Sequence, residues 1–228
     1  MVIDWYNPLV FYPLLVAVFL VIRIPKIGEY LRSINTLIHE AAHAIAALIL
    51  SGKLVSIKIF SNTEGETLVR SSNRLGTLFI AIVGYPAAAL CGFLLLYALR
   101  IGQAYMAILI LTVLSIVFVL LFIRNWYGFF WLLSFLTINL LAIWYNKIEL
   151  LNYLCLIFSF VIIAEALYSP LVLFRISLKN PKAAGDASVL KSITYLPAFF
   201  WSIVFIILNY LIIFFTVSNL FPPIFAIK

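Results

Sequence analysis

Long apolar runs separated by short polar stretches dominate the chain. A helix needs about 20 apolar residues to cross a bilayer, and seven runs approach or exceed this length. They are residues 8–24, 27–50, 75–99, 104–123, 129–145, 151–174 and 196–217. The fifth run is short, with 17 residues. The pattern predicts an all-α polytopic membrane protein with six or seven transmembrane helices.

The stretch between the second and third runs has a different period. Val55, Ile57 and Ile59 alternate with polar residues, as in a half-buried strand. The letters SNTEG then supply turn residues, and ETLVR can return as a second strand. The sequence therefore predicts a small β-hairpin over residues 54–69, directly after the second helix.

Composition supports a membrane location and a single domain. Hydrophobic residues make up 66% of the chain and charged residues only 10%, whereas soluble domains carry roughly a quarter charged residues. No polar stretch is long enough to fold separately in water, so residues 1–228 are expected to form one integral membrane domain. The net charge of +7 is scattered through loops. This distribution indicates a lipid bilayer, and no nucleic acid, as the partner.

The distribution of Lys and Arg predicts the orientation. Seven crossings would place the N-terminus and the loops after the second, fourth and sixth helices on one side. That side holds Lys53, Lys58, Arg70, Arg74, Arg124, Arg175, Lys179, Lys182 and Lys191. The other side holds Arg23, Lys26, Arg32, Arg100, Lys147 and Lys228. Nine against six predicts that the N-terminus and the hairpin face the cytoplasm.

Both histidines of the chain lie in the motif HEAAH within the second apolar run. His39 and His43 share one helix face, and two imidazoles so placed can bind one tetrahedral zinc. Glu40 is displaced by about 100° and can reach a water on that zinc without ligating it. Its carboxylate can accept the proton of that water during attack on a carbonyl. The alternative is a pair of interhelical hydrogen-bonding histidines beside a neutral Glu40.

Two histidines leave a catalytic zinc one short of its usual three protein ligands. The chain has no third histidine, and most of its acidic residues lie in loops or at helix ends. Asp186 and Glu165 remain as candidates. Asp186 has a helix N-cap as its alternative role. Glu165 lies nine residues before the end of the sixth run and can instead orient a ligand or serve as a buried structural acid.

The stretch HEAAHAIAALILSGKLVSIKIF resembles the site-2 protease family of intramembrane zinc metalloproteases. The similarity extends to GYPAAALCG (84–92) and GDASVLKSITYLP (185–197), is greatest to the short bacterial branch without PDZ domains, and covers residues 35–200. Only the HExxH motif is highly specific. Asp186 matches the position of the aspartate ligand in the family, although the larger members have Asp-Gly where this chain has GDA.

If Asp186 matches the aspartate ligand of the family, the chain must reach the depth of His39 in the membrane again before residue 186. His39 lies about 11 residues, or roughly 16 Å, before the end of its helix. The 175–186 segment is therefore expected to dip into the membrane, and the letters NPKAAGD suit irregular backbone that lines a cavity.

The resemblance implies a zinc endopeptidase with one zinc per chain, held by His39, His43 and Asp186. Glu40 would be the general base, and the substrate would be a membrane protein cleaved in or near a transmembrane segment. The edge of the hairpin would bind an extended substrate strand. The resemblance also implies a bacterial plasma membrane and an active site toward the cytoplasm. The alternative function is a non-proteolytic zinc-binding protein, either a transporter or an inactive scaffold, since intramembrane histidines and acids also mark ion pathways.

Overall fold

The structure, a computed structural model, describes residues 5–50, 53–70 and 73–223. Four residues used in the sequence analysis lie outside this description, in whole or in their side chains. They are Lys53, Val55, Arg70 and Lys228.

The described chain is a helical bundle with one small antiparallel sheet. Its elements are α1 (Pro8–Val21), α2 (Ile27–Ile49), β1 (Lys53–Ile59), β2 (Gly65–Arg70), α3 (Arg74–Arg100), α4 (Ala104–Leu121), α5 (Trp126–Tyr145), α6 (Ile148–Lys179), α7 (Gly185–Thr194) and α8 (Ala198–Leu220). Five of the described helices, α3, α4, α5, α6 and α8, are long and apolar enough to cross a membrane. The predicted all-α polytopic fold with a hairpin after the HEAAH helix is confirmed.

Helices α1 and α2 together make one crossing of the bundle. The Tyr6 hydroxyl, before α1, donates to the carbonyl of Phe221 at the end of α8 (3.3 Å). Just after α1, Arg23 pairs with Glu165 at 3.0 Å, midway along α6. Helix α2 begins at this depth and continues to the hairpin. With α3, α4, α5, α6 and α8, the described chain crosses the bundle six times, so the two predicted spans 8–24 and 27–50 are halves of a single broken crossing.

The break between α1 and α2 has a local cause. Pro25 is followed by Lys26, whose φ is positive (65°), and the two end one helix before the next begins. The chain then turns so tightly that a Cβ on Gly28 would overlap the carbonyl of Ile22. Helix α1 has only 14 residues, fewer than the roughly 20 that cross a bilayer alone.

The single crossing changes the predicted orientation of the N-terminus. The guanidinium of Arg100, at the end of α3, lies 4.0 Å from the ring centroid of Tyr6. The N-terminal end of the described chain therefore lies opposite the hairpin, and the prediction that it shares the hairpin's side is wrong.

The single crossing of α1 and α2 also makes the distribution of basic residues between the two ends of the bundle more unequal. All nine basic residues counted with the hairpin belong to that end, eight of them in helices or strands and Arg124 in the connection between α4 and α5. Of the other six, only Arg100 and Lys147 lie at the opposite end, because Arg23, Lys26 and Arg32 lie around the α1–α2 break and Lys228 is outside the described residues.

The hairpin is held in place along its β1 edge by the connection between α4 and α5. The Ile57 N–H donates to the carbonyl of Phe122 (2.8 Å), and the Arg124 N–H donates to the carbonyl of Ile57 (3.1 Å). Two residues further along, the side-chain amide of Asn125 bonds both backbone groups of Ile59 (3.2 and 2.6 Å). One edge of the sheet is thus covered by the chain itself, and within the described residues the β2 edge is left open for another strand.

A proline inside α6 is compensated by a side chain of α8. Pro170 has no N–H, so the carbonyl of Ala166, four residues earlier, lacks its helical donor. The side-chain amide of Asn209 donates to this carbonyl at 2.9 Å. The bond keeps α6 continuous to Lys179 in an apolar interior, where an unpaired carbonyl would be costly.

Topology is testable with single cysteines in a variant that carries Cys91→Ser and Cys155→Ser. Lys182→Cys lies at the hairpin end, whereas Asn7→Cys and Asn146→Cys lie at the opposite end, and all three positions are exposed. We expect a membrane-impermeant maleimide to label Lys182→Cys from one side of sealed vesicles and the other two from the opposite side. Labelling of Asn7→Cys from the same side as Lys182→Cys would contradict the single broken crossing.

Candidate metal centre and adjoining cavity

Three side chains from α2 and α7 meet at one point in the bundle. The Nε2 atoms of His39 and His43 are 3.1 Å apart. The Asp186 Oδ2 atom lies 3.1 Å from Nε2 of His39 and 3.2 Å from Nε2 of His43. Among the described residues, these three form a group whose donor atoms could hold one metal ion.

The spacing and chemistry of this group fit zinc. Bonds of about 2.0–2.1 Å in a tetrahedral site place any two donor atoms roughly 3.3 Å apart, close to the 3.1–3.2 Å observed. Two imidazoles and one carboxylate are a common set of protein ligands for catalytic zinc, with the fourth position open. His39, His43 and Asp186 are therefore suited to a metal at their centre.

The chain returns to this depth after α6 to deliver Asp186. Helix α6 continues to Lys179, so the irregular segment is shorter than the predicted dip over 175–186 and starts only at residue 180. A 3₁₀ turn (Pro181–Ala183) and Gly185, whose φ of +40° is left-handed, then lead into α7. The N-cap of α7 is Ala184, so Asp186 does not have the capping role that was its alternative.

The charge state of Asp186 suits a ligand. Burial by itself would raise the pKa of its carboxyl, but the charge of His43 and hydrogen bonds from both imidazoles outweigh this effect. The pKa therefore lies below its usual range, and the carboxylate stays ionised at neutral pH.

A hydrogen bond to the backbone of α3 fixes the orientation of the imidazole of His43. Its Nδ1 atom lies 2.6 Å from the carbonyl oxygen of Ile80 on α3. A carbonyl can only accept, so Nδ1 carries the hydrogen and donates it. When a metal takes the place of the proton on Nε2, the ring can present a lone pair there, an arrangement typical of metal-ligating histidines. The ring of His39 is held edge-to-face by Tyr85 (centroids 4.7 Å apart).

Gly84 makes room for both imidazoles. A Cβ at this position would lie 2.5 Å from Cε1 of His39 and 2.6 Å from Nε2 of His43. Gly84 entered the sequence analysis only as the first residue of the family-like stretch 84–92. Its role in the site was missed, because only the tertiary contact between α2 and α3 places it against the rings.

Glu40 projects from α2 onto the hairpin, where it is buried. Its Oε2 atom accepts a hydrogen bond from the Thr67 hydroxyl of β2 (2.6 Å). Gly65 lies against the same carboxylate, and a side chain there would overlap its Oε1 atom. The hairpin therefore positions the predicted base, which links the two features that the sequence placed side by side.

Glu165, the other candidate ligand, lies apart from the metal group and among arginines. Its carboxylate pairs with Arg23 at 3.0 Å and with Arg32 at 3.8 Å. The ring of Tyr168 packs against the same Arg23, with 4.1 Å from the guanidinium carbon to the ring centroid. These contacts give Glu165 a structural role at the α1–α2 break.

A cavity of about 630 Å³ opens beside His39 and Asp186. One wall is the hairpin, including Gly65 and Glu66 at the open edge of β2, and the opposite wall is the second half of α6. Arg32 and Glu165 also line it. The cavity thus joins the metal group to the β2 edge, which no backbone of the described residues covers.

Metal binding should depend on the absence of a side chain at position 84. We expect Gly84→Ala to weaken zinc binding about tenfold or more, the loss typical when the support of a ligand is disturbed, because the new methyl group displaces both imidazoles. Gly92→Ala on the same helix is the control, since its Cβ would meet Cγ1 of Ile163 at 2.9 Å and Cγ2 of Ile162 at 3.2 Å on α6 and neither imidazole. Zinc titration of both purified variants is the measurement, and equal affinities would contradict the role of Gly84.

The comparison with protein families agrees with this geometry. No curated protein and no solved structure matches the chain. The family model described as peptidase M50B-like matches residues 12–216, a range that includes the HEAAH motif, the hairpin and Asp186. The resemblance to the site-2 proteases is thereby confirmed. The chain belongs to the peptidase M50B-like family, whose members are intramembrane metalloproteases.

Proposed function

We propose that this integral membrane protein is a zinc endopeptidase that cleaves a membrane-protein substrate in or near a transmembrane segment. The observation that carries the proposal is the convergence of His39, His43 and Asp186 within 3.2 Å of one another. In the proposal these three residues hold one zinc per chain. Zinc at such a site supplies Lewis-acid activation of water and of the scissile carbonyl.

Glu40 is the general base of the proposed reaction. Its carboxylate takes a proton from the attacking water as the water oxygen bonds to the scissile carbonyl carbon. The proton then passes to the amide nitrogen as the carbon–nitrogen bond breaks. Thr67 holds one carboxylate oxygen, so the orientation of the base is set before substrate arrives.

The edge of β2 is the proposed docking site for the substrate. In an antiparallel pair, alternate residues direct both backbone groups away from the partner strand. Ile57 directs its N–H and carbonyl toward the α4–α5 connection. Its partner Thr67 therefore directs its own backbone groups to the open side, as do Gly65 and Val69 by alternation. A helical substrate unwound beside this edge gains hydrogen bonds in place of those it loses.

The proposed location is the bacterial plasma membrane that the resemblance implies, with the hairpin end facing the cytoplasm. Basic residues concentrate on the cytoplasmic side of membrane proteins. Because α1 and α2 make one crossing, nine basic residues lie at the hairpin end of the bundle and two lie at the opposite end. The active site opens among these elements.

Glu40→Gln separates the protease from a zinc transporter or an inactive scaffold. The amide keeps the shape of the side chain and removes the proton acceptor. We expect zinc to remain at one per chain while cleavage of a membrane-protein substrate falls at least about a hundredfold. His43→Ala and Asp186→Ala should lose zinc, and Glu165→Gln is the matched acidic control that should retain it. Retained cleavage in Glu40→Gln would favour the alternative function.

If the substrate pairs with β2 as an added strand, two proline substitutions in the hairpin should have different effects. Val69→Pro removes an N–H from the open edge of β2, so we expect cleavage to fall about three- to tenfold, the contribution of one hydrogen bond, with normal zinc content. Ile57→Pro removes the bond to Phe122 and should lower thermal stability as well. The two variants are compared by substrate turnover and by melting temperature. Unchanged turnover in Val69→Pro would count against docking at this edge.

A further inference from the structure

Asn35 carries a polar group that has no hydrogen-bond partner in the described part of the chain. Its Oδ1 atom is buried and accepts no hydrogen bond from the described residues. Its polar neighbours on α2 are committed: the Thr36 hydroxyl donates to the carbonyl of Thr63 (2.8 Å), and Arg32 Nε donates to the carbonyl of Gly28 (3.3 Å). Buried polar groups are nearly always paired, so an exception calls for an explanation.

The position of Asn35 points to the substrate as the missing partner. Asn35 lies four residues before His39, on the same face of α2. Both residues line the cavity that also contains the open edge of β2. A strand paired with β2 uses the backbone groups of one edge only, and its remaining N–H and carbonyl groups need other partners away from bulk water. A primary amide offers one acceptor and one donor group for them.

We propose that Asn35 binds the substrate backbone, with its Oδ1 atom accepting an N–H about two residues from the scissile bond. The distance follows from the spacing of the two elements: one helical turn rises about 5.4 Å, and two residues of a strand span about 6.6 Å. Asn35 is thus a substrate-positioning residue that sets the register of the extended segment relative to the metal group. The inference rests on the proposed function and adds a residue to it.

Two hydroxamates separate binding at the metal from binding along the backbone. Acetohydroxamic acid carries the chelating group alone, and N-acetyl-Leu-Leu hydroxamate adds two residues of backbone. Their dissociation constants are measured by calorimetry on the zinc-loaded full-length chain in detergent. We expect Asn35→Ala to weaken the dipeptide hydroxamate about three- to tenfold, as for one lost hydrogen bond, and to leave acetohydroxamic acid unchanged.

Asn139→Leu is the matched control. Asn139 is also buried, and neither polar atom of its amide has a partner among the described residues, but it lies on α5 and not in the lining of the cavity. It should bind both hydroxamates as the wild type does. Equal loss in Asn139→Leu would show that the effect is structural and would overturn the proposal.

The remaining outcomes are distinguishable. If neither hydroxamate binds the zinc-loaded wild type, the proposed function fails. If both bind and Asn35→Ala weakens neither, or both equally, the role of Asn35 is overturned while the metal site stands. Should Asn35→Ala fail to fold, the wild type is tested with a modified ligand. Methylation of the first leucine's amide nitrogen in N-acetyl-Leu-Leu hydroxamate should weaken its binding by the same three- to tenfold. Unchanged affinity for the methylated compound would overturn the proposal.

Discussion

The meeting of two imidazoles and one carboxylate inside an apolar bundle is the constraint on which the rest of the structure depends. Polar groups at this depth are costly unless they are paired, and the three donors come from elements far apart in sequence. Helix α2 must pass close to α3, which Gly84 permits. The chain must also leave α6 and turn back at Gly185 to bring Asp186 to the histidines. A metal ion at their centre would stabilise this arrangement only in the folded state.

Irregular backbone occurs around the site, and its polar groups are almost all satisfied. The hairpin bonds the α4–α5 connection through Ile57, and Asn209 pairs with the carbonyl that Pro170 leaves free. The amide oxygen of Asn35 is one of six buried side-chain atoms that have no hydrogen-bond partner among the described residues; the others belong to Arg23, Asn139, Glu165 and Asn209. Burying such a group unpaired costs about 1–3 kcal/mol. Asn35 lies in the cavity wall beside the metal group, so a bound peptide chain can offset this cost. Asn139 is also unpaired among the described residues but does not line the cavity.

Much of the site was predictable because its signals are local. The HEAAH spacing places both histidines on one helix face, and the alternation around Ile57 predicts a strand. The preference for Asp186 depended mainly on the resemblance, since elimination among the acidic residues left Glu165 as a second candidate. Three features were not predicted, because each depends on contacts between elements that are distant in sequence. Gly28 and Lys26 mark a break, but only the packing of Arg23 against Glu165 shows that α1 and α2 make one crossing. Likewise, nothing local to Ile57 shows that its edge is covered by residue 122, or that Gly84 faces the histidines.

The ion pairs of Glu165 bear on how hydrolysis proceeds inside a bundle of apolar helices. A buried carboxylate between Arg23 and Arg32 contributes little net stability, because desolvation offsets the attraction between the charges. Its position is the informative feature. Arg32 and Glu165 line the same cavity as His39 and Asp186, so polar side chains extend from the α1–α2 break to the metal group. A cavity of about 630 Å³ with such walls is large and polar enough to hold water. Glu165 thus has no place in the metal group, but with Arg32 it makes the wall of the cavity beside His39 and Asp186 polar.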